Sequence, residues 1–466
     1  MLFKAGAFWV VTIVALLSAV TAASAAPAPR LLKDINPGTE SQDINHGPEE
    51  FAKAGRHVFF SADDGSHGYE LWKTDGTRGR TRLVRDIHPG ATGSEGYSFT
   101  NLDGALVFAA DDGTHGYEVW RSDGSRRGTR LVRDIAPGAD GSDPSEFFKF
   151  RDALYFSADD GTHGSELWTT DGTRRGTRLV RNIAPGAMSS FPDSFARLGD
   201  KFFFGADDGT HGSELWRSDG TRKGTKLLRN IAPGATSSDP FNLRRAGDRI
   251  FFYADDGTHG AEPWRSDGTG KGTKLVTDIN PAPGGGSETL GFEFDGFGKI
   301  GNAVFFSAGD GTSGDDLWVV DGAQTRHIEI NGAGNSFPSD FATVNGFIYF
   351  GAFDGPAGHG FELWRSDGTA ARTKLVRDIN PGGDSTPESL EPVGRRLYFA
   401  ARDSGGNDSE LWRSDGTSAG TKLVKEFVPG ADGGFPGPLV NIGGTLYFGA
   451  RDLVHGAEPW TLPKRR

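Results

Sequence analysis

With 466 residues, 70 of them glycine, 36% apolar and 11% aromatic, the chain suits many short strands and tight turns; it is too aromatic to be disordered and a poor match for a helical protein. Net charge is −12, or −13 without the first 25 residues, and there is no run of basic residues outside Lys464–Arg466, so nucleic acid and anionic membranes are not expected partners. The lack of cysteine excludes disulfides, thiolate metal sites, a cysteine nucleophile and a lipid-bearing cysteine.

Residues 1–25 read as a secretory signal. Lys4 supplies the positive end, Ala7 to Val20 is apolar apart from Thr12 and Ser18, and Ala23-Ser24-Ala25 is a small-x-small cleavage site. The expected mature chain starts at Ala26 and is secreted, either extracellular or periplasmic. Past the signal, self-similarity dominates. Trp72, Trp120, Trp168, Trp216, Trp264, Trp318, Trp364, Trp412 and Trp460 recur every 48 residues, except for gaps of 54 before Trp318 and 46 before Trp364. Nine such units fill residues 26–466 and leave no room for a second domain.

The unit from Asp143 to Ile183 reads as four strands: Ser145–Phe150, Ala153–Ala158, Ser165–Trp168 and Thr177–Ile183. Asp-Gly turns separate the later ones, and Asp-Gly between short apolar runs is a strong hairpin signal. Four strands in about 48 residues is the size of a propeller blade. The segment Arg30–Gly38 reads as a fourth strand without its first three, and Glu458–Trp460 as a third without its fourth, so the two complete one blade. The expected fold is all-β: one closed propeller of nine four-stranded blades, with an eight-bladed ring or two smaller rings as alternatives. A monomer is expected.

If strands three and four pair with Trp72 opposite Leu83, regular alternation puts Glu70 opposite Arg85. The same offset gives Glu118–Arg133, Glu166–Arg181, Glu214–Arg229, Glu362–Arg377 and Glu410–Lys425, and at the ring closure Glu458–Lys33. Glu262 opposite Thr277 and Asp316 opposite Ile328 break the rule.

The segment Glu70–Thr77 and its copies at Glu166–Thr173, Glu214–Thr221, Glu362–Thr369 and Glu410–Thr417 resemble the bacterial secreted family named for ELWxxDGT repeats. Glu118–Ser125 and Glu262–Thr269 depart slightly, and Asp316–Ala323 more, which puts that hairpin's geometry in question. The resemblance spans the chain after the signal. It implies an exported repeat protein and supplies no catalytic residues. Ser157-Ala-Asp-Asp-Gly161 is similar to the Asp-box hairpins of sialidase-like propellers, which implies fold and not activity.

Four sets of residues could carry chemistry. The second Asp of each Asp-Asp-Gly turn is present in all nine units (Asp64, Asp112, Asp160, Asp208, Asp256, Asp310, Asp354, Asp403 and Asp452), and fits either a calcium loop or an Asx-turn. Four units lose the first Asp, to Gly309, Phe353, Arg402 and Arg451, which favours the turn. The turn histidines His67, His115, His163, His211, His259, His359 and His455 could bind metal or sense pH, but lie one to a blade and are expected to bond backbone. The tryptophans are expected to pack between blades rather than stack on sugars. The irregular segment Pro281–Asp321, with Glu288, Glu293, Asp295 and Lys299, is where an acid–base pair could sit. No catalytic, cofactor-binding or metal residue is assigned. The expected function is a non-catalytic extracellular scaffold binding a polysaccharide, cell-wall component or protein. The rivals are a lyase or glycoside hydrolase acting near the sixth unit, and a calcium-stabilised structural protein.

Overall fold

The computed structural model describes residues 27–37, 47–282, 297–322, 324–332, 334–403, 408–430 and 432–464. The signal segment therefore lies outside it, as do Glu288, Glu293 and Asp295. Among the described residues no helix is long and apolar enough to cross a membrane. The strands form nine four-stranded antiparallel sheets, a nine-bladed β-propeller. Eight blades are built from consecutive strands. Blade nine joins strands Gly437–Ile442, Thr445–Asp452 and Gly456–Leu462 to Arg30–Leu31 from the other end of the chain, with Leu31 opposite Trp460.

The second strand of each blade is buried along nearly its whole length, as Leu154–Ala158 shows, because neighbouring blades cover both its faces. The core is therefore nine inter-blade layers. One layer joins Leu71, Val84 and Ile87 of blade one to Leu106, Phe108 and Trp120 of blade two. The closing layer joins Leu32 and Ile35 to Phe51, Phe60 and Trp72. The tryptophans pack between blades as expected; seven of the nine are at most 6% exposed, and Trp318 and Trp364 are half-buried.

Two bulges recur in the blades. Trp72 pairs with Leu83 as the spacing predicts, but a bulge between Leu71 and Trp72 then puts Leu71, not Glu70, opposite Arg85. Among the described residues, the innermost strand of every blade but the sixth carries the other. Glu49 pairs with Ser61 and Ala52 with Phe59, so two residues face one. The residue at that point has positive φ in seven blades: Glu50 (58°), Ser98 (59°), Glu146 (60°), Ser194 (54°), Asn242 (54°), Asp340 (55°) and Ser389 (53°). Strained non-glycine backbone thus rings the central channel. Blade six is plainer than its sequence suggests. Its third and fourth strands, Asp315–Asp321 and Gln324–Ile328, pair without a bulge, with Leu317 opposite Ile328.

Candidate functional site

The repeated glutamates do not form the expected cross-strand ion pairs. In blades one to four, seven and eight the bulge, and in blade six the local pairing, moves the acid off its supposed partner. Each acid instead turns under its own blade and binds the link to the next. Glu118 Oε1 accepts from the Ile135 and Ala136 N–H at 2.9 and 2.8 Å, and Oε2 from Ser142 Oγ at 2.7 Å. Glu166 and Glu214 repeat this arrangement. Asp316, one methylene shorter, accepts from Ile330 N–H, Ser336 Oγ and His327 Nε2. At the seam, where Leu31 pairs with Trp460, Glu458 also takes backbone partners. It accepts from Ile35 N–H at 2.9–3.0 Å and Asn36 N–H at 2.9 Å, fastening the two ends of the chain. Burial raises the pKa of these glutamates, to about 7 for Glu362, Glu410 and Glu458, although the N–H donors oppose the shift. A neighbouring acid adds to it: Asp378 beside Glu362, Glu426 beside Glu410, Asp34 beside Glu458. In blades three and four an asparagine stands there, and the Asn182 amide can donate to Glu166 Oε1 at 3.1 Å.

The arginines released from those pairs reach into the next blade. Arg133 lies over the Trp168 ring, 5.6 Å from its centroid, and donates to the Thr177 carbonyl at 2.6 Å. Arg85, Arg181, Arg229 and Arg377 do the same to Trp120, Trp216, Trp264 and Trp412, and Lys425 covers Trp460. Lys33 over Trp72, at 5.0 Å, closes the circuit. Blade five has Thr277 at the arginine position; there His327, from Trp318's own blade, stacks on the ring at 4.8 Å.

The Asp-Asp-Gly turns are Asx-turns. Asp112 Oδ1 accepts from the Thr114 and His115 N–H, both at 3.0 Å, and Asp111 Oδ1 accepts from Gly113 N–H. The histidine binds the Asp side chain and not the backbone as expected: His115 Nδ1 lies 2.9 Å from Asp112 Oδ2. All seven turn histidines make this contact. It raises the pKa of His67, His115, His259 and His359. Burial works against the Asp112 carboxylate, but the His115 contact and the two N–H donors hold its pKa below the usual range. Among the described residues, no three His, Asp or Glu side chains gather around one metal position.

Three places break the repeat. In the channel wall a cavity is lined by Glu50, Ser98, Glu146, Phe148 and Phe195. Nearby, the Asp193 residue is exposed but its carboxyl lies against Gly205, and desolvation there, then the charges of Glu146 and Asp239, push its pKa up to about 7. Sequence reasoning missed Asp193. Its register position holds Glu49 and Glu388 in other blades as well as Tyr97, Ser145 and Phe241, so the repeat gave no signal that sets it apart. At the seam, Gly434, Gly437 and Gly449 open a 460 Å³ cavity between blades nine and one, bordered by Glu49, Glu50 and Arg451. On the opposite face, a 540 Å³ cavity between blades one and two is lined by Arg56, His57, Lys73, Arg82 and Arg126.

No family model and no curated protein matches the chain. Solved structures resemble it distantly. A computationally designed protein, Ika8, has 17% identity and a TM-score of 0.42 over 80% of this chain and 97% of its own. A puromycin hydrolase S511A mutant has 13% identity and a TM-score of 0.39, over 80% of this chain and 61% of that one. The β-propeller domain of the Trilobed protease from Pyrococcus furiosus has 14% identity and a TM-score of 0.35, over 71% and 96%. The chain thus spans about three fifths of the length of the puromycin hydrolase it matches.

Proposed function

We propose that the chain is an exported, non-catalytic scaffold that binds an extracellular polysaccharide or cell-wall component through its repeated surface turns. The observation that carries this reading is the use to which the repeat's reactive groups are put. The glutamates hold inter-blade links, the arginines cover the next blade's tryptophan, and the Asp–His pairs fold their own turns. What the repeat leaves exposed is a ring of similar hairpins on a rigid frame, a geometry suited to extended ligands. The resemblance to ELWxxDGT-repeat proteins and the signal-like first 25 residues support export. The test is an array of bacterial and environmental polysaccharides probed with the purified chain, scoring retention and cleavage together. Retention without cleavage is expected; cleavage would overturn the reading.

One observation favours catalysis instead. A carboxyl with its pKa near 7, beside Glu146 in a channel, has the properties of a general acid. On that reading Asp193→Asn abolishes turnover of whichever polysaccharide is cleaved; on the scaffold reading it leaves retention unchanged.

A further inference from the structure

The propeller is electrically two-faced, and its positive charge is gathered on one arc. Antiparallel blades put every second-to-third-strand turn on one face and every third-to-fourth-strand turn on the other. The first face carries the Asp-Asp-Gly turns. On the second, blade two presents Arg126 and Arg127 at its hairpin tip, blade three Arg174 and Arg175, and blade four Arg222 and Lys223, all exposed. Blade one adds Arg78 and Arg80. Each of these hairpins returns through another exposed cation at the start of the fourth strand, such as Arg130 or Arg178. Beyond blade four the pattern thins: blade five keeps Lys271, blade seven keeps Arg372, which pairs with its own Asp367 at 2.9 Å, and blade eight has Ser418 and Ala419 at the same tip.

A cavity of 540 Å³ begins the arc. Lys73 is only 6% exposed there, its Nζ donating to the Gly124 carbonyl of the next blade, while Arg56, Arg82 and Arg126 line the same space. Burial, and then the charges of Arg82 and Arg56, lower the Lys73 pKa; burial and Lys73 lower that of His57. Asp123 in the lining and Asp75 beside His57 offset only part of the charge of Arg56, Lys73, Arg82 and Arg126, in a chain whose net charge is −12. An anion would relieve that excess.

We propose that this cationic arc on blades one to four binds a linear polysaccharide bearing carboxylates, a polyuronate, with one uronate seated in the cavity between blades one and two. Guanidinium forks match carboxylates in a bidentate fashion, as they do phosphates; what favours a sugar acid over duplex DNA is the set of acceptors beside them. Each tip also offers acceptors for sugar hydroxyls: the exposed Asp171 carboxylate, fixed by Thr173 N–H at 2.8 Å and Thr173 Oγ at 2.6 Å, sits beside its arginine pair. Duplex DNA has no free sugar hydroxyls along its length to offer.

This inference rests on the scaffold reading, and its test separates the two. The chain without its first 25 residues is titrated with a short linear uronic-acid homopolymer, a neutral glucan of equal length and duplex DNA, across a salt series. The polyuronate is expected to bind with an affinity that falls steeply with salt. Substituting Arg126→Glu, Arg127→Glu, Arg174→Glu and Arg175→Glu together is expected to weaken it by at least about tenfold, whereas Ser418→Glu with Ala419→Glu on blade eight changes it less than about twofold. Equal binding of the neutral glucan with no effect of the four substitutions would overturn the arc while leaving the scaffold reading intact. Binding of DNA alone, or of none of the three, would also overturn the arc, and the scaffold reading falls with it only if the polysaccharide array retains nothing. The salt series on the unaltered chain keeps the test valid should the fourfold variant fold poorly.

Discussion

Glu458 allows the closure of the ring to be tested on a single side chain. Its carboxylate receives the Ile35 and Asn36 N–H across the seam, and burial, with Asp34 adding to it, raises its pKa from 4.5 to about 7. An acid whose folded pKa lies above its unfolded one binds protons more readily in the closed state. The closed seam is therefore most stable below pH 4.5 and weakens as pH rises through 7. Between pH 5 and pH 8 those two pKa values weaken the closed seam relative to the open one by about 70-fold, or about 2.5 kcal/mol. Glu458→Gln keeps an oxygen acceptor and carries no charge, so it should abolish this dependence, at the cost of about 1 kcal/mol for the acceptor lost at low pH. The assay is hydrogen exchange at the Ile35 and Asn36 amides, corrected for the intrinsic effect of pH. In the unaltered chain protection should fall by about the factor given, and in the variant it should stay level. Equal pH dependence in both proteins would refute the role given to Glu458.

Three further outcomes follow from the same contacts. Asp378→Asn, which copies the asparagine of blades three and four, should lower the pKa of Glu362 and raise stability above pH 7, read by denaturation at pH 8. Arg133→Met removes the contact with Trp168 and the bond to Thr177, and should lower stability by about 1–3 kcal/mol, with Arg133→Lys recovering part of it. In an NMR titration His115 should titrate above 6.5 and His57 below it, since Asp112 favours the charged form of the first, while burial and Lys73 oppose that of the second. The reverse order would contradict the turn geometry.

The blade count and the seam were legible because tryptophan spacing and Asp-Gly turns are local, repeated signals, and the unit Ser145–Phe150, Ala153–Asp159, Ser165–Thr170, Arg178–Arg181 matches its expected strands closely. The glutamate ladder was not legible. Spacing alone assumes an unbroken pleat, and one extra residue, Val84 in the fourth strand, moves Arg85 from Glu70 to Leu71. The true partner of Arg133 lies 44 residues on, in another blade, where no local pattern points. The cationic arc escaped notice for a related reason. Arg126–Arg127 and Arg174–Arg175 are short pairs that become one surface only when the blades stand side by side. Asp193 belongs to no motif; the channel wall gives it its character.

The central claim is that ligand is held by the exposed hairpins of the ring rather than processed within its channel. Hydrogen exchange of the chain, free and saturated with the uronic-acid homopolymer, tests this directly. Protection should appear at the third-to-fourth-strand hairpins of blades one to four, around Arg78–Arg82, Arg126–Arg130, Arg174–Arg178 and Arg222–Lys226. Protection confined to the channel strands carrying Glu146 and Asp193 would contradict the account.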